Sequence, residues 1–78
     1  MEIETKLRTV MSAILKVSAE EINEQSSMDS IESWDSLQHM NLILALEEEF
    51  RVSIPDEDAA NITSFKLIRA VLLECLNR

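Results

Sequence analysis

Hydrophobic residues recur along this chain at three- and four-residue steps, which is the spacing of helices that bury one face. Ile3, Leu7, Val10, Met11, Ile14 and Leu15 predict a first helix from about Glu2 to Lys16, with Lys6, Arg8 and Lys16 solvating its outer face. From Val17 to Trp34 the periodicity stops and serine, asparagine and acids take over. Within that stretch, Ser18 to Glu21 reads as a capping box for one helical turn, Ile22 packs inward, and Met28 and Ile31 anchor a long connection.

The second helix is predicted from Ser36 to Phe50. Asp35 is a good N-cap and Gln38, three residues on, is placed to close a capping box. At 100° per residue its apolar positions fall into two groups rather than one stripe. His39, Leu42, Ile43, Leu46 and Phe50 form one, the core side. Leu37, Met40 and Leu44 form the other, together with Ser36, Glu47 and Glu48, while Glu49 points away from the serine. A helix of a small domain needs a single buried face, so the second group reads as a contact surface.

Arg51 to Ile54 is a short linker, and Pro55 opens a brief helix over Asp56 to Ala60. Thr63 is the expected cap of a last helix through about Leu76, with Phe65, Ile68, Val71, Leu72 and Cys75 facing the core. No strand pattern occurs. The expected fold is all-α: an antiparallel four-helix bundle with three long helices, one short third helix and a long first loop, in a single domain over residues 1–78.

Composition narrows the function. The 78 residues hold one cysteine, one histidine and no glycine. That excludes an internal disulfide, a structural zinc site and the usual glycine-dependent phosphate or calcium loops. Little remains from which to assemble a base and a nucleophile, so no catalytic residues and no metal site are expected and the chain is not read as an enzyme. No apolar run is long enough to span a bilayer and the start is not a basic signal, which points to a cytoplasmic protein without membrane insertion.

Charge is distributed unevenly. Residues 18–58 hold twelve of the fifteen acids and one base, Arg51, for a net −11 against −8 overall. Such a field repels nucleic acid and favours basic protein surfaces. The carboxylates of Asp56, Glu57 and Asp58 open a helix, where the dipole stabilises them; Glu47, Glu48 and Glu49 close one, where each is unfavourable. That contrast marks Glu47 and Glu48 as candidates for binding a partner.

The Asp35-Ser36-Leu37 motif, followed by a helix ending Ala45-Leu46-Glu47-Glu48-Glu49-Phe50, resembles the attachment-site helix of acyl carrier proteins. The likeness extends over nearly the whole chain, in length, apolar spacing and acidic balance. It implies that Ser36 carries phosphopantetheine, supplied from coenzyme A by a metal-dependent transferase that Asp35 helps to engage. It also implies acyl groups held as thioesters for fatty acid, polyketide or related specialised biosynthesis. The partners would be that transferase and acyl-loading and acyl-processing enzymes with basic docking surfaces, meeting a monomer at Leu37, Met40, Asn41, Leu44, Glu47 and Glu48.

Three positions depart from the common family pattern: Trp34 where glycine is usual shortly before the aspartate, and Gln38 and Asn41 where acids are frequent. Trp34 reads either as a staple over the helix start or as a partner contact, His39 as a packed histidine, and Cys75 as a small apolar core residue. A different class remains open, in which an unmodified acidic helical adaptor binds a basic protein through the same face.

Overall fold

The computed structural model describes residues 2–77. Helices α1 (Glu2–Leu15), α2 (Ser36–Phe50), α3 (Asp56–Asn61) and α4 (Phe65–Leu76) are joined by a long first loop that contains a 3-10 turn at Ala19–Glu21. Three long helices, one short third helix and no strand among the described residues give the all-α bundle that the periodicity predicts.

Helix ends are set by local chemistry. α1 stops one residue before Lys16, which takes the left-handed conformation at φ 57°, and Ser33 of the loop donates from Oγ to the Leu15 carbonyl at 2.6 Å. The 3-10 turn has Ser18 as its cap, but its Oγ accepts from the Glu20 N–H rather than from the third residue on, so the expected capping box becomes a tighter turn. α2 ends at Arg51, also left-handed at φ 55°. With no glycine in the chain, a lysine and an arginine occupy positions that ordinarily favour glycine.

The cap of α4 is Ser64, not Thr63. Met28 N–H donates to the Thr63 carbonyl and Phe65 N–H to the Ser26 carbonyl, an isolated bridge that keeps the backbone extended through Ser64. Ser64 Oγ then accepts from Leu67 N–H. The same bridge ties the first loop to the last helix.

One core unites the elements. Leu7, Met11 and Leu15 of α1 meet Leu42 and Leu46 of α2 and Phe65, Ile68 and Leu72 of α4, with Ile22, Trp34, Ile54 and Ile62 closing it from the loops. Full burial of each large aliphatic or aromatic side chain contributes roughly 1.5–3 kcal/mol. Met28 and Ile31 pack against this core as anchors of the loop. Val71 is partly buried, and half-buried Cys75 points Sγ at the Ser53 carbonyl, 3.7 Å away.

Two bases of α1 do more than solvate it. Lys6 Nζ lies 5.1 Å from the centre of the Phe50 ring and 3.7 Å from Glu49, and the Arg8 guanidinium sits 5.5 Å over the Phe65 ring. Cations over aromatic faces are attracted by the ring quadrupole. Arg69 of α4 also lies over Phe65 and bonds both Glu4 at 2.6 Å and Glu24 at 2.8 Å, joining α4, α1 and the first loop. No described helix is long and apolar enough to cross a membrane.

Candidate functional site

Asp35 ends the first loop in extended conformation, and its Oδ1 accepts from Gln38 N–H at 2.9 Å. The cap is therefore present, but the capping box is half made. Gln38 turns its carbonyl to Asn41 Nδ2 at 3.3 Å instead of reaching back to the cap. Ser36 occupies the first helical position, exposed, and no hydrogen bond among the described residues uses its hydroxyl. The first N–H groups of a helix lack intrahelical acceptors, so the α2 terminus presents donors and the positive end of a dipole beside that hydroxyl.

α2 is divided as its periodicity predicts. His39, Leu42, Ile43, Leu46 and Phe50 are buried, whereas Leu37, Met40 and Leu44 are 68%, 66% and 59% exposed. Asn41 and Glu48 are exposed on the same side and Glu47 is half-buried. The structure thus brings Ser36, the three apolar side chains and the acids onto one face. Glu47 has a second role that spacing did not reveal: Oε2 accepts from Ile54 N–H at 2.8 Å. The expectation that it only costs the fold stability is corrected, because it satisfies a buried backbone donor of the linker to α3.

Beside this face lies a cavity of about 330 Å³ between α2 and α3. Its α2 wall includes Met40, Ile43, Leu44 and Glu47; Ile54, Asp56, Ala59 and Ala60 supply the other side, and His39 lines it as well. Ile54 and α3 had no assigned part in the site. The two adjacent alanines, small side chains opposite the second apolar group, were the available signal. A larger depression of about 620 Å³ at the first loop takes its lining from residues 16–33 and includes none of α2.

Trp34 is only 2% exposed and sits in the core rather than capping it from outside. Its indole Nε1–H donates to His39 Nδ1 at 3.0 Å, with the two rings stacked at 5.9 Å between centres. Since Nδ1 accepts, Nε2 carries the ring hydrogen and donates to the Ala59 carbonyl at 2.7 Å. One imidazole therefore joins the first loop, α2 and α3. A partner contact by Trp34 is ruled out by its burial. No group of three or more potential metal ligands occurs among the described residues.

The family model described as the phosphopantetheine attachment site matches residues 5–72. The chain belongs to the phosphopantetheine attachment-site family. Among its curated relatives is an acyl carrier protein of Nitratidesulfovibrio vulgaris (strain DP4), 41% identical over 66 residues, covering 85% of this chain and 87% of that protein. The solution structure of the holo acyl carrier protein from Geobacter metallireducens shares the fold, with a TM-score of 0.87 at 22% identity over 100% of this chain and 90% of that one. Members of the attachment-site family carry their prosthetic group on a side chain, and the exposed hydroxyl at the start of α2 fits a phosphodiester: accessible, unbonded and beside free helix donors.

Proposed function

We propose that this chain is an acyl carrier protein whose Ser36 is joined through a phosphodiester to phosphopantetheine. It is a carrier and a substrate of other enzymes, not an enzyme itself. The observation that carries the assignment is the Ser36 hydroxyl, exposed and uncommitted at the first position of α2, with the Asp35 cap on one side and the exposed Leu37, Met40 and Leu44 on the other. When bound, the arm supplies a thiol that holds an acyl group as an activated thioester. The chain's own part is to fix the linkage point and present it: tethering raises the effective concentration of the acyl group at each partner's active site.

Asp35 holds the helix start and is proposed to meet the transferase. Leu37, Met40, Asn41, Leu44, Glu47 and Glu48 are proposed as the face met by that transferase and by acyl-processing enzymes. The support is the exposure of Leu37, Met40, Asn41, Leu44 and Glu48 on the Ser36 side of α2, with half-buried Glu47 at its edge, and a net charge of −8, which favours basic docking surfaces.

Incubation with coenzyme A, magnesium and a broad-specificity phosphopantetheinyl transferase tests the assignment by intact mass. One arm is expected on the parent and none on Ser36→Ala, whose fold is retained because an exposed first-turn serine buries little. Loading of the alanine variant would move the site elsewhere. A parent that gains no mass would favour an unmodified adaptor on the same face.

A further inference from the structure

Ser36 lies in the turn of α2 that the helix itself holds least, because the first N–H groups of a helix have no intrahelical acceptor and helix ends fray. What fixes it is a set of bonds between the residues on either side. Asp35 Oδ1 accepts from Gln38 N–H at 2.9 Å, and the Asp35 carbonyl accepts from His39 N–H at 2.8 Å. Trp34, two residues before the serine, donates from its indole Nε1–H to His39 Nδ1 at 3.0 Å, which closes the segment 34–39 on itself with Ser36 inside it.

Both ends of this closed segment are anchored elsewhere. Trp34 N–H donates to the Ile31 carbonyl at 3.0 Å, and the preceding residue, Ser33, donates from Oγ to the Leu15 carbonyl at the end of α1. His39 Nε2–H donates to the Ala59 carbonyl of α3 at 2.7 Å, which fixes the imidazole and leaves Nδ1 as the acceptor. Trp34 is 2% and His39 8% exposed. Neither meets an incoming enzyme, so any part they play at Ser36 runs through the chain that joins them to it.

We infer that Trp34 and His39 are positioning residues for the transfer of the arm: their bond holds Asp35 and Ser36 in the orientation that the transfer needs. The inference rests on the carrier reading. In that transfer the Ser36 Oγ–P bond forms as the pyrophosphate P–O bond of coenzyme A breaks; adenosine bisphosphate leaves with the bridging oxygen, and the serine proton passes to a base of the transferase. The displacement needs a hydroxyl held in a near-attack geometry, and a misplacement of about 1 Å can cost on the order of a hundredfold. Loss of the Trp34–His39 bond frees the first turn of α2 to fray while the exposed face of the helix stays in place, so it acts on the rate of transfer and not on recognition.

The test uses the full chain and three substitutions. An asparagine amide overlies the position of Nδ1 and a glutamine amide that of Nε2. His39→Asn therefore keeps an acceptor for Trp34 and loses Ala59, whereas His39→Gln keeps a donor for Ala59 and loses Trp34. Trp34→Phe keeps an aromatic ring in the core and loses the donor. Arm transfer from coenzyme A, with magnesium and a broad-specificity phosphopantetheinyl transferase, is followed by intact mass over a range of carrier concentrations, well below each variant's melting temperature. In Trp34→Phe and His39→Gln, kcat is expected to fall about tenfold with KM for the carrier unchanged. In His39→Asn it is expected to stay near the parent's.

Parent rates in folded Trp34→Phe and His39→Gln overturn the inference. So does an asparagine variant that falls as far as the glutamine one, and so does a fall confined to KM, which would make the pair part of docking. One measurement needs no variant to fold: the single tryptophan gives one indole N–H resonance, expected to exchange slowly in heavy water, and exchange as fast as in free tryptophan overturns the inference. A parent that gains no arm removes the carrier reading and this inference with it, whereas a parent that loads while the variants match it removes this inference alone.

Discussion

Glu47 and Glu48 are neighbours in sequence and carry the same charge, yet the structure gives them opposite energetics. Glu47→Lys removes the Oε2 that accepts from Ile54 N–H at 2.8 Å, next to a side chain that is buried in the core. Losing a hydrogen bond to a charged group costs about 1.5–3 kcal/mol. The new cation at the C-terminal end of α2 returns roughly 0.3–1 kcal/mol. The net is a loss of about 0.5–2.7 kcal/mol, or a fall in melting temperature on the order of 2–22 °C for a domain of this size. Glu48 is exposed and takes no part in a hydrogen bond or ion pair among the described residues, so Glu48→Lys keeps only the gain. Thermal unfolding of the two variants separates them. The docking role is then read from Glu48→Lys alone: weaker binding to the transferase at low salt, and a flatter salt dependence than the parent's, because exposed charges are screened beyond about 8–10 Å at physiological ionic strength. Equal stability of the two lysine variants would refute the Glu47–Ile54 argument, and unchanged binding by Glu48→Lys would refute electrostatic docking at that residue.

The remaining expectations concern the fold. Arg51→Gly should raise stability by about 0.5–1 kcal/mol, since left-handed backbone costs a non-glycine residue roughly 1–2 kcal/mol and glycine's own entropy cost offsets part of the relief; urea unfolding with an unchanged m-value checks it, and a loss would mean that the arginine stabilises the turn. Trp34→Ala should cost about 3–5 kcal/mol, the range for removing a buried aromatic, and should lower hydrogen-exchange protection in α2 and α4 as well as in the first loop; protection lost only in the loop would return the tryptophan to a local staple. The Arg69 guanidinium, by hydrogen bond and charge, holds the Glu24 carboxyl below its ordinary value of 4.5. A depressed carboxyl stabilises the fold above its unfolded pKa and loses that contribution as pH falls through the folded one. The melting temperatures of parent and Glu24→Gln should therefore differ at neutral pH and converge below pH 4.5; a gap that persists in acid would assign the effect to packing.

Much of this molecule is written in local pattern. The boundaries of α2, the division of its apolar residues into buried and exposed groups, the Asp35 cap and the placement of Ser36 follow from helical periodicity and one side-chain hydrogen bond within four residues. Such features depend on neighbours in sequence, so they can be read before any tertiary contact is known. The Thr63 to Ser64 change shows where that reading stops: the backbone of the cap was already taken by the loop at Ser26 and Met28.

What the tertiary structure decided are the polar side chains that found partners across the fold. Arg69 reaches Glu4 and Glu24, His39 reaches Ala59, and Glu47 reaches Ile54. Each of these side chains has several rotamers and several acceptors or donors compatible with its spacing, and only the packing of α2, α3, α4 and the first loop selects one. Trp34 is the sharpest instance. Its position before the cap is compatible with lying over the helix start or facing a partner, and burial became favourable only because His39, one turn into α2, offers its indole N–H an acceptor inside the core.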